Sequence, residues 1–408
     1  MAREMKIELL SPAGDMERLQ ATVRFGADAV YLGGTMFGMR AASAYFDEEK
    51  LHEAVQFVHA HKVPVYLTCN TLPRNNEIDL LSAYLQMVQR AGVDALIVSD
   101  VGVLSLVREI LPDIPVHIST QAGIVNYAAA NAFYRMGAKR VVLARELSLQ
   151  EIAQIRANTP PDLELEAFVH GAMCMSFSGR CLLSDYLTGR DANRGDCAQP
   201  CRWKYALMEE KRPGEYFPIG EDTDGTYIMN AKDLCMIQHI DKLAEAGITS
   251  FKIEGRAKSA YYVSVITNAY RAAIDSYLSA PESFSLPEWA GREVEKVSHR
   301  RYCTGFFFGP IQDGQYTENG GYVRPCDVVA VVDDYREGKL ICTQRNRFLQ
   351  GDTLELLEPG KPPVTLTADD LRDVTGAQID AARHPMMAFS IAFDRPVSRG
   401  AILRKERE

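Results

Sequence analysis

The chain has 408 residues, which suits two or three domains, or one (β/α)₈ barrel of about 250 residues with a smaller companion. A hydrophobic content of 47% with 24% charged residues excludes wholesale disorder, and no apolar run approaches the ~18 residues of a membrane helix. The net charge of −9 argues against a protein that coats nucleic acid over its whole surface, and leaves room for a local basic patch.

The opening, MAREMKIELLSPAGD, lacks the apolar core of a signal peptide, so a cytoplasmic setting is expected. In such a reducing compartment nine cysteines do not read as a disulfide framework. From there the chain alternates strands and helices. FGADAVYLGG (25–34), AGVDALIVSD (91–100), MGAKRVVLAR (136–145) and AGITSFKIEG (246–255) repeat one unit, a helix-ending glycine followed by a β-branched strand. Amphipathic helical patterns such as FDEEKLHEAVQFVHAHK (46–62) and IDLLSAYLQMVQRAG (78–92) lie between them.

Eight strands are predicted, at 8–12, 29–33, 64–69, 95–99, 115–119, 140–144, 163–169 and 250–254. This alternation predicts a TIM-like (β/α)₈ barrel over residues 1–280, interrupted by a cysteine-rich insertion at about 171–230. No Gly-x-Gly-x-x-Gly opens the first helix, which disfavours a doubly wound open sheet. Residues 281–320 read as a linker or docking segment whose three phenylalanines (306–308) join the two domains. Short strands with turn residues then predict a small C-terminal β-barrel over 321–408.

Active sites of such barrels form at the carboxyl ends of the strands. Those ends carry Asn70, Asp100, Thr120 and Gln121, Arg145 and Glu146, His170, Asn230 and Lys232, and then Lys252, Glu254 and Arg256. After the second strand, paired glycines lead to Arg40, a candidate anion holder. His170, Glu254 and Arg256 are the candidates for catalysis, and Arg40, Asn70, Arg145 and Lys252 for substrate binding. Tyr31 and Phe37 are candidate stacking partners for a flipped base.

The strongest signal is the seventh loop, where Cys174, Cys181, Cys197 and Cys201 precede Cys235. Thiolates ligate iron–sulfur clusters and structural zinc, and five are on offer. Only Cys197 and Cys201 have the short spacing of a zinc knuckle. Cys69 and Cys342, inside apolar strands, read instead as small core hydrophobes. A zinc-protease helix would need His-Glu-x-x-His, and His52-Glu53-Ala54-Val55-Gln56 lacks the second histidine. A cysteine protease would have to pair His170 with Cys174.

The run EAFVHGAMCMSFSGRCLLS (166–184) resembles the signature of the U32 peptidase (collagenase-like) family. LLSPAGD, GADAVYLGG, CAQPCRW and KIEGR match the same family, so the resemblance covers the barrel. The better understood members of that family are not proteases. They resemble prephenate-dependent, oxygen-independent hydroxylases that carry a [4Fe–4S] cluster and act on tRNA wobble uridine, an rRNA cytidine or a ubiquinone precursor. One barrel with one small C-terminal β-domain is most similar to the tRNA uridine C5-hydroxylases.

The resemblance implies a tRNA partner, prephenate as co-substrate, and a cluster on Cys174, Cys181, Cys197 and Cys235. Cys201 stays open as a replacement for one of these, because some members use both cysteines of the C-x₃-C pair. Arg40, Arg145, Lys252 and Arg256 would hold the carboxylates of prephenate or an RNA phosphate. Arg180, Arg190, Arg194, Arg202 and Lys204, with Arg345 and Arg347, are candidates for a local RNA surface. The rival readings are a true peptidase, a metal-stapled RNA-binding scaffold, and a hydroxylase of rRNA or a quinone precursor.

Overall fold

The computed structural model describes residues 6–39, 46–174, 181–192, 195–203, 207–208, 216–217, 231–310 and 322–407. Arg40, Arg180, Arg194, Lys204 and Asn230 lie outside the described residues. Strands β1 (Glu8–Pro12), β2 (Ala29–Gly33), β3 (Val65–Cys69), β4 (Ala95–Val98), β5 (Val116–Ile118), β6 (Arg140–Val142) and β7 (Glu164–Ala172) run parallel, each paired with the next. The chain then forms the short pair β8 (Leu207–Met208) and β9 (Tyr216–Phe217), and β10 (Asp233–Cys235) lies antiparallel on the end of β7. β11 (Ser250–Ile253) pairs in parallel with both β1 and β7 and so closes the eight-stranded barrel that the alternating pattern predicts.

Helices α1 (Met16–Arg24), α2 (Glu48–Ala60), α3 (Asn75–Ala91), α4 (Val101–Ile110), α5 (Tyr127–Arg135) and α6 (Leu149–Ala157) fill the crossovers. The short α7 (Leu183–Thr188) lies in the insertion, and α8 (Ile240–Glu245) and α9 (Ala260–Ser279) flank β11. Several begin at a residue whose side chain accepts a backbone N–H of the first turn, which satisfies one of the orphan donors there. Asp15, Asp47, Asp100, Asn126, Ser148 and Ser259 all do so. Asp100, a strand-end candidate, is thereby assigned to capping.

Strand alternation divides each barrel strand between two environments. Leu9, Leu32, Leu67, Leu96, Val141, Leu165, Phe251 and Ile253 belong to the core shared with the helices. Leu10, Ala29, Tyr31, Tyr66, Ala95 and Ile97 form a separate small cluster inside the barrel. The opposite half of the interior is charged. Arg140 on β6 reaches Glu8 on β1 at 2.6 Å and Glu166 on β7 at 2.9 Å, and Lys252 on β11 reaches Glu166 at 2.7 Å. The Tyr66 hydroxyl donates to Glu8, and Arg140 lies over the Tyr66 ring. Arg140–Glu8 and Tyr66–Glu8 join strands that are not neighbours, so these contacts cross the barrel interior near its amino-terminal end.

Burial by itself would raise the Glu8 carboxyl. The Arg140 charge and hydrogen bonds from Arg140, Tyr66 and Ser250 outweigh it and hold the pKa below the ordinary carboxylate value. The stabilisation from a depressed carboxylate is complete above its unfolded pKa and is lost as pH falls through the folded one. The melting temperature of the wild-type protein is therefore expected to fall with acidification below about pH 4. Glu8→Gln should start lower at neutral pH and lose less over that window. Thermal melts of both proteins from neutral to acidic pH check this.

Of the segment expected as a linker or docking segment, residues 281–310 pack against the barrel. α10 (Glu288–Glu293) buries Ala290 and Glu293, and β12 (Tyr302–Cys303) adds to β10 in parallel. Phe306 and Phe307 pack into the barrel core, with the Phe307 carbonyl accepting from Leu149 N–H at 2.9 Å, and Phe308 meets His239 edge to face. The phenylalanines thus seat this segment on the barrel flank. The domains are joined elsewhere, by the fully buried Arg404, which pairs with Glu293 at 2.5 Å and Glu355 at 2.8 Å and donates to the Tyr261 hydroxyl. Asn268 on α9 accepts from Gly360 N–H at 2.7 Å across the same junction.

The C-terminal part is an antiparallel sheet. It comprises β13 (Cys326–Arg336), β14 (Lys339–Gln344), β16 (Thr353–Leu357), β17 (Val364–Thr367), β18 (Arg372–Asp373), β20 (Ala388–Ala392) and β21 (Ile402–Glu406), in the order β17-β16-β21-β13-β14-β20-β18. β15 (Phe348–Leu349) and β19 (Ala381–Ala382) form a small second pair. The outermost strands, β17 and β18, follow one another in the chain, so the sheet curls round its own core of Val332, Leu340, Phe348, Leu354, Phe389 and Leu403. The expected small β-barrel takes this curled form.

Candidate active site

Asn70 follows the carboxyl end of β3. Its side-chain oxygen accepts Met39 N–H at 3.1 Å and its amide donates to the Ser119 hydroxyl at 3.3 Å, so it ties the loop after β2 to the end of β5. Arg145 lies beyond β6. It donates to the Ala172 carbonyl at 2.7 Å and stacks over Phe168 at 3.9 Å, which holds its guanidinium at the end of β7. Arg256 is buried beyond β11, donates to the Thr68 hydroxyl at 3.0 Å, and lies against Gly33, where a Cβ would collide with its guanidinium. Glu254 takes its place through a backbone bond to the His170 carbonyl and a contact of 3.3 Å with the Tyr31 hydroxyl. The structure therefore brings Asn70, Arg145, His170, Glu254 and Arg256 to one end of the barrel.

Lys252 lies one layer deeper. Its ammonium pairs with Glu166 at 2.7 Å and lies over the rings of Tyr31 and Phe168, so it belongs to the interior charge network. Tyr31 faces that interior and bonds the Ile253 carbonyl, and Phe37 is buried edge-on against Tyr84. Neither ring presents a free face for a base. The Thr120 hydroxyl donates to the Leu143 carbonyl. Beside it, the buried side-chain oxygen of Gln121 has no hydrogen-bond partner, an acceptor left open among the strand ends.

His170 is the least expected of these environments. It is fully buried, neither ring nitrogen has a hydrogen-bond partner, and burial, with lesser contributions from His299 and Lys258, pulls its pKa down to about 3. It is therefore a neutral imidazole at neutral pH. Tyr270, Tyr302 and Tyr262 surround it, with ring centroids at 5.4, 5.3 and 6.1 Å. These tyrosines come from α9 and from the segment once expected as linker, and nothing in the β7 motif points to them. Tyr270 fastens the arrangement by donating to the Val169 carbonyl at 2.8 Å and accepting Met236 N–H at 3.0 Å.

Gly171 makes the join between β7 and β11 possible. It has φ +108°, and a Cβ would stand 2.6 Å from the Glu254 carbonyl and 2.9 Å from the Glu254 Cβ. Gly171→Ala should cost about 1–3 kcal/mol from the backbone conformation alone. It should also displace Glu254, so urea denaturation is expected to show the stability loss and activity to fall further than that loss explains.

None of the nine cysteines forms a disulfide. The donor chemistry of the clustered five suits iron or zinc, but their positions here do not gather them. β10 pairs Cys235 with His170 and Asp233 with Ala172, so Cys174, two residues beyond, lies about 13 Å of extended chain from the Cys235 position. Cys174 and Cys197 are exposed, whereas Cys235 is half-buried at the end of β10, and desolvation of its thiol pushes its pKa up to about 12. Among the described residues no group of three or more His, Cys, Asp or Glu side chains stands ready to hold a metal.

The protease alternatives find no support in the geometry. His170 hydrogen-bonds no thiol, and its neighbour across the ladder is Cys235, not Cys174. His52 bonds Gln56 at 2.8 Å on an exposed face of α2. Of the proposed basic surface, Arg190 pairs with Asp196 at 2.7 Å and Arg345 with Glu17 at 3.1 Å, the latter a tie between the domains.

The sequence over residues 14–316 matches the model of Peptidase family U32, and residues 324–404 match the Peptidase family U32 C-terminal domain. The chain belongs to the U32 family. Its U32 relatives include "tRNA hydroxylation protein P1" of Bacillus subtilis (strain 168), 38% identical over 404 residues that cover 98% of this chain and 95% of the relative. "tRNA hydroxylation protein P" of Escherichia coli (strain K12) is 37% identical, covering 92% and 91%. A third, "Collagenase" of Porphyromonas gingivalis, is 35% identical over 77% of this chain and 76% of its own. The two named for tRNA hydroxylation match through the C-terminal domain as well as the barrel.

Proposed function

We propose that this U32 protein is an RNA hydroxylase that places a hydroxyl group on C5 of the wobble uridine of tRNA, with prephenate as co-substrate. The observation that carries this reading is the match, over 98% of the chain and through both domains, to a relative named for tRNA hydroxylation. The strand-end geometry is compatible with it. Arg145 and Arg256 hold guanidiniums in fixed positions suited to carboxylate or phosphate, and Glu254 places a carboxyl against Tyr31 at the same end of the barrel. No helix among the described residues is long and apolar enough to cross a membrane.

Replacing C5–H by C5–OH is a two-electron oxidation, which side chains of this kind do not perform unaided. The proposal therefore retains a [4Fe–4S] cluster on Cys174, Cys181, Cys197 and Cys235. Metal binding is coupled to the folding of its site, so these thiols would be gathered on loading. The protein side supplies binding and orientation: the guanidiniums for anionic groups, and the open Gln121 acceptor for an N–H of the base.

Deleting the gene and measuring modified nucleosides by mass spectrometry, in tRNA and rRNA separately, tests the reading. Loss of wobble 5-hydroxyuridine derivatives from tRNA, restored by the gene on a plasmid, is expected. Unchanged tRNA nucleosides would overturn it, and loss of a hydroxylated cytidine from rRNA alone would move the activity to rRNA.

A further inference from the structure

The insertion after β7 exposes apolar surface that the barrel does not use. Tyr186 is 87% exposed and Leu182 is 69% exposed. Being four residues apart, they share one face of the α7 turn. Trp203, one of the two tryptophans of the chain, is 43% exposed in the same insertion. α7 is anchored from below, where the Ser184 hydroxyl accepts Ala198 N–H at 2.9 Å, so the turn is held while its outer face stays bare.

The charge of this stretch departs from that of the whole. Residues 180–204 carry four arginines and one lysine against three aspartates, a local excess of two positive charges in a chain of net charge −9. In the chain the stretch follows β7, whose carboxyl end lies beside Arg145 and Glu254. Exposed aromatic faces within a basic segment are the means by which proteins hold unpaired nucleotides: bases stack on the rings while cations track the phosphates.

We infer that Tyr186, Leu182 and Trp203 form a stacking surface for unpaired RNA bases that flank the target nucleotide. The inference rests on the proposed action on RNA, and it names the part of the protein that grips the loop. A base taken into the barrel mouth leaves its neighbours unstacked, and this surface gives them a replacement.

Fluorescence anisotropy with a labelled anticodon stem–loop RNA, at fixed salt, tests it on the full-length protein. Tyr186→Ala with Trp203→Ala should weaken binding about tenfold or more, whereas Tyr186→Phe, which keeps the ring, should stay within about twofold of wild type. A fully paired RNA of equal length should show no such dependence. Wild-type affinity in the double variant, shown folded by its circular dichroism melt, would overturn the inference, as would failure of the wild-type protein to bind the stem–loop. A dimer that the double variant dissolves without loss of RNA affinity would assign the surface to protein contact instead. Because binding is read without turnover, a protein that grips the loop through these residues but leaves the nucleosides unchanged in the deletion test would retain this surface and lose the proposed activity.

Discussion

On the proposed ligand set, Cys174→Ala is expected to purify anaerobically without iron and sulfide and to lose the hydroxylated nucleoside. Its apoprotein should melt like the wild-type apoprotein, because Cys174 is exposed and contributes nothing to the core. Cys235→Ala should lose iron and activity as well, although this half-buried thiol lies 4.0 Å from the Tyr270 hydroxyl and its removal will also be felt in packing. Cys201→Ala, outside the proposed set, should keep both. Iron and sulfide analysis with visible absorbance checks all three variants. Iron lost from Cys201→Ala and retained in Cys174→Ala would reassign the ligands, and one zinc per chain without visible absorbance would remove the cluster from the proposal.

Arg140→Ala is expected to be the most destabilising single change in the barrel, by about 3–5 kcal/mol, as seen when one partner of a buried ion network is removed. It would leave Glu8 without its principal counter-charge and Glu166 with Lys252 alone. Arg140→Met combined with Glu8→Gln should recover part of the loss, since it removes charges from both sides of the network while Lys252 still serves Glu166. Urea denaturation of the single and combined variants measures the difference. An Arg140→Ala protein as stable as wild type would show that the network is not what fills this half of the interior.

The barrel was legible in the sequence because its outward strand faces are apolar and its crossovers begin with capping Asp, Asn or Ser, two signals that agree locally. Each of the eight predicted strands is present, most of them within a residue or two at their ends. β7 departs furthest and runs on to Ala172, since Gly171 and the antiparallel β10 extend the pairing, which no local pattern announces. Lys252 illustrates the converse difficulty. It was read as a strand-end residue, but strand alternation turns it inward toward Glu166, a partner 86 positions away.

The environment of His170 was not legible for the same reason of distance. Its tyrosine surround is assembled from α9 and from residues near 302, and only the closed fold brings them together. The interval read as a linker or docking segment gives little helical signal because Pro, Ser and Glu dominate its start. The residues that pack it, Ala290, Val294 and Val297, are too sparse to show a helical stripe. The thiols were legible by type and spacing, whereas nothing in their spacing says where the fold places them relative to one another.

Hydroxylation of tRNA by this protein can be observed in a reconstituted reaction. The anaerobically purified, iron-loaded protein and prephenate are incubated with tRNA from the deletion strain, and nucleosides are read by mass spectrometry. A gain of one oxygen atom on the wobble uridine that requires both the protein and its iron is expected. Uridine left unmodified by iron-loaded protein, under conditions where that protein binds the tRNA, would contradict it.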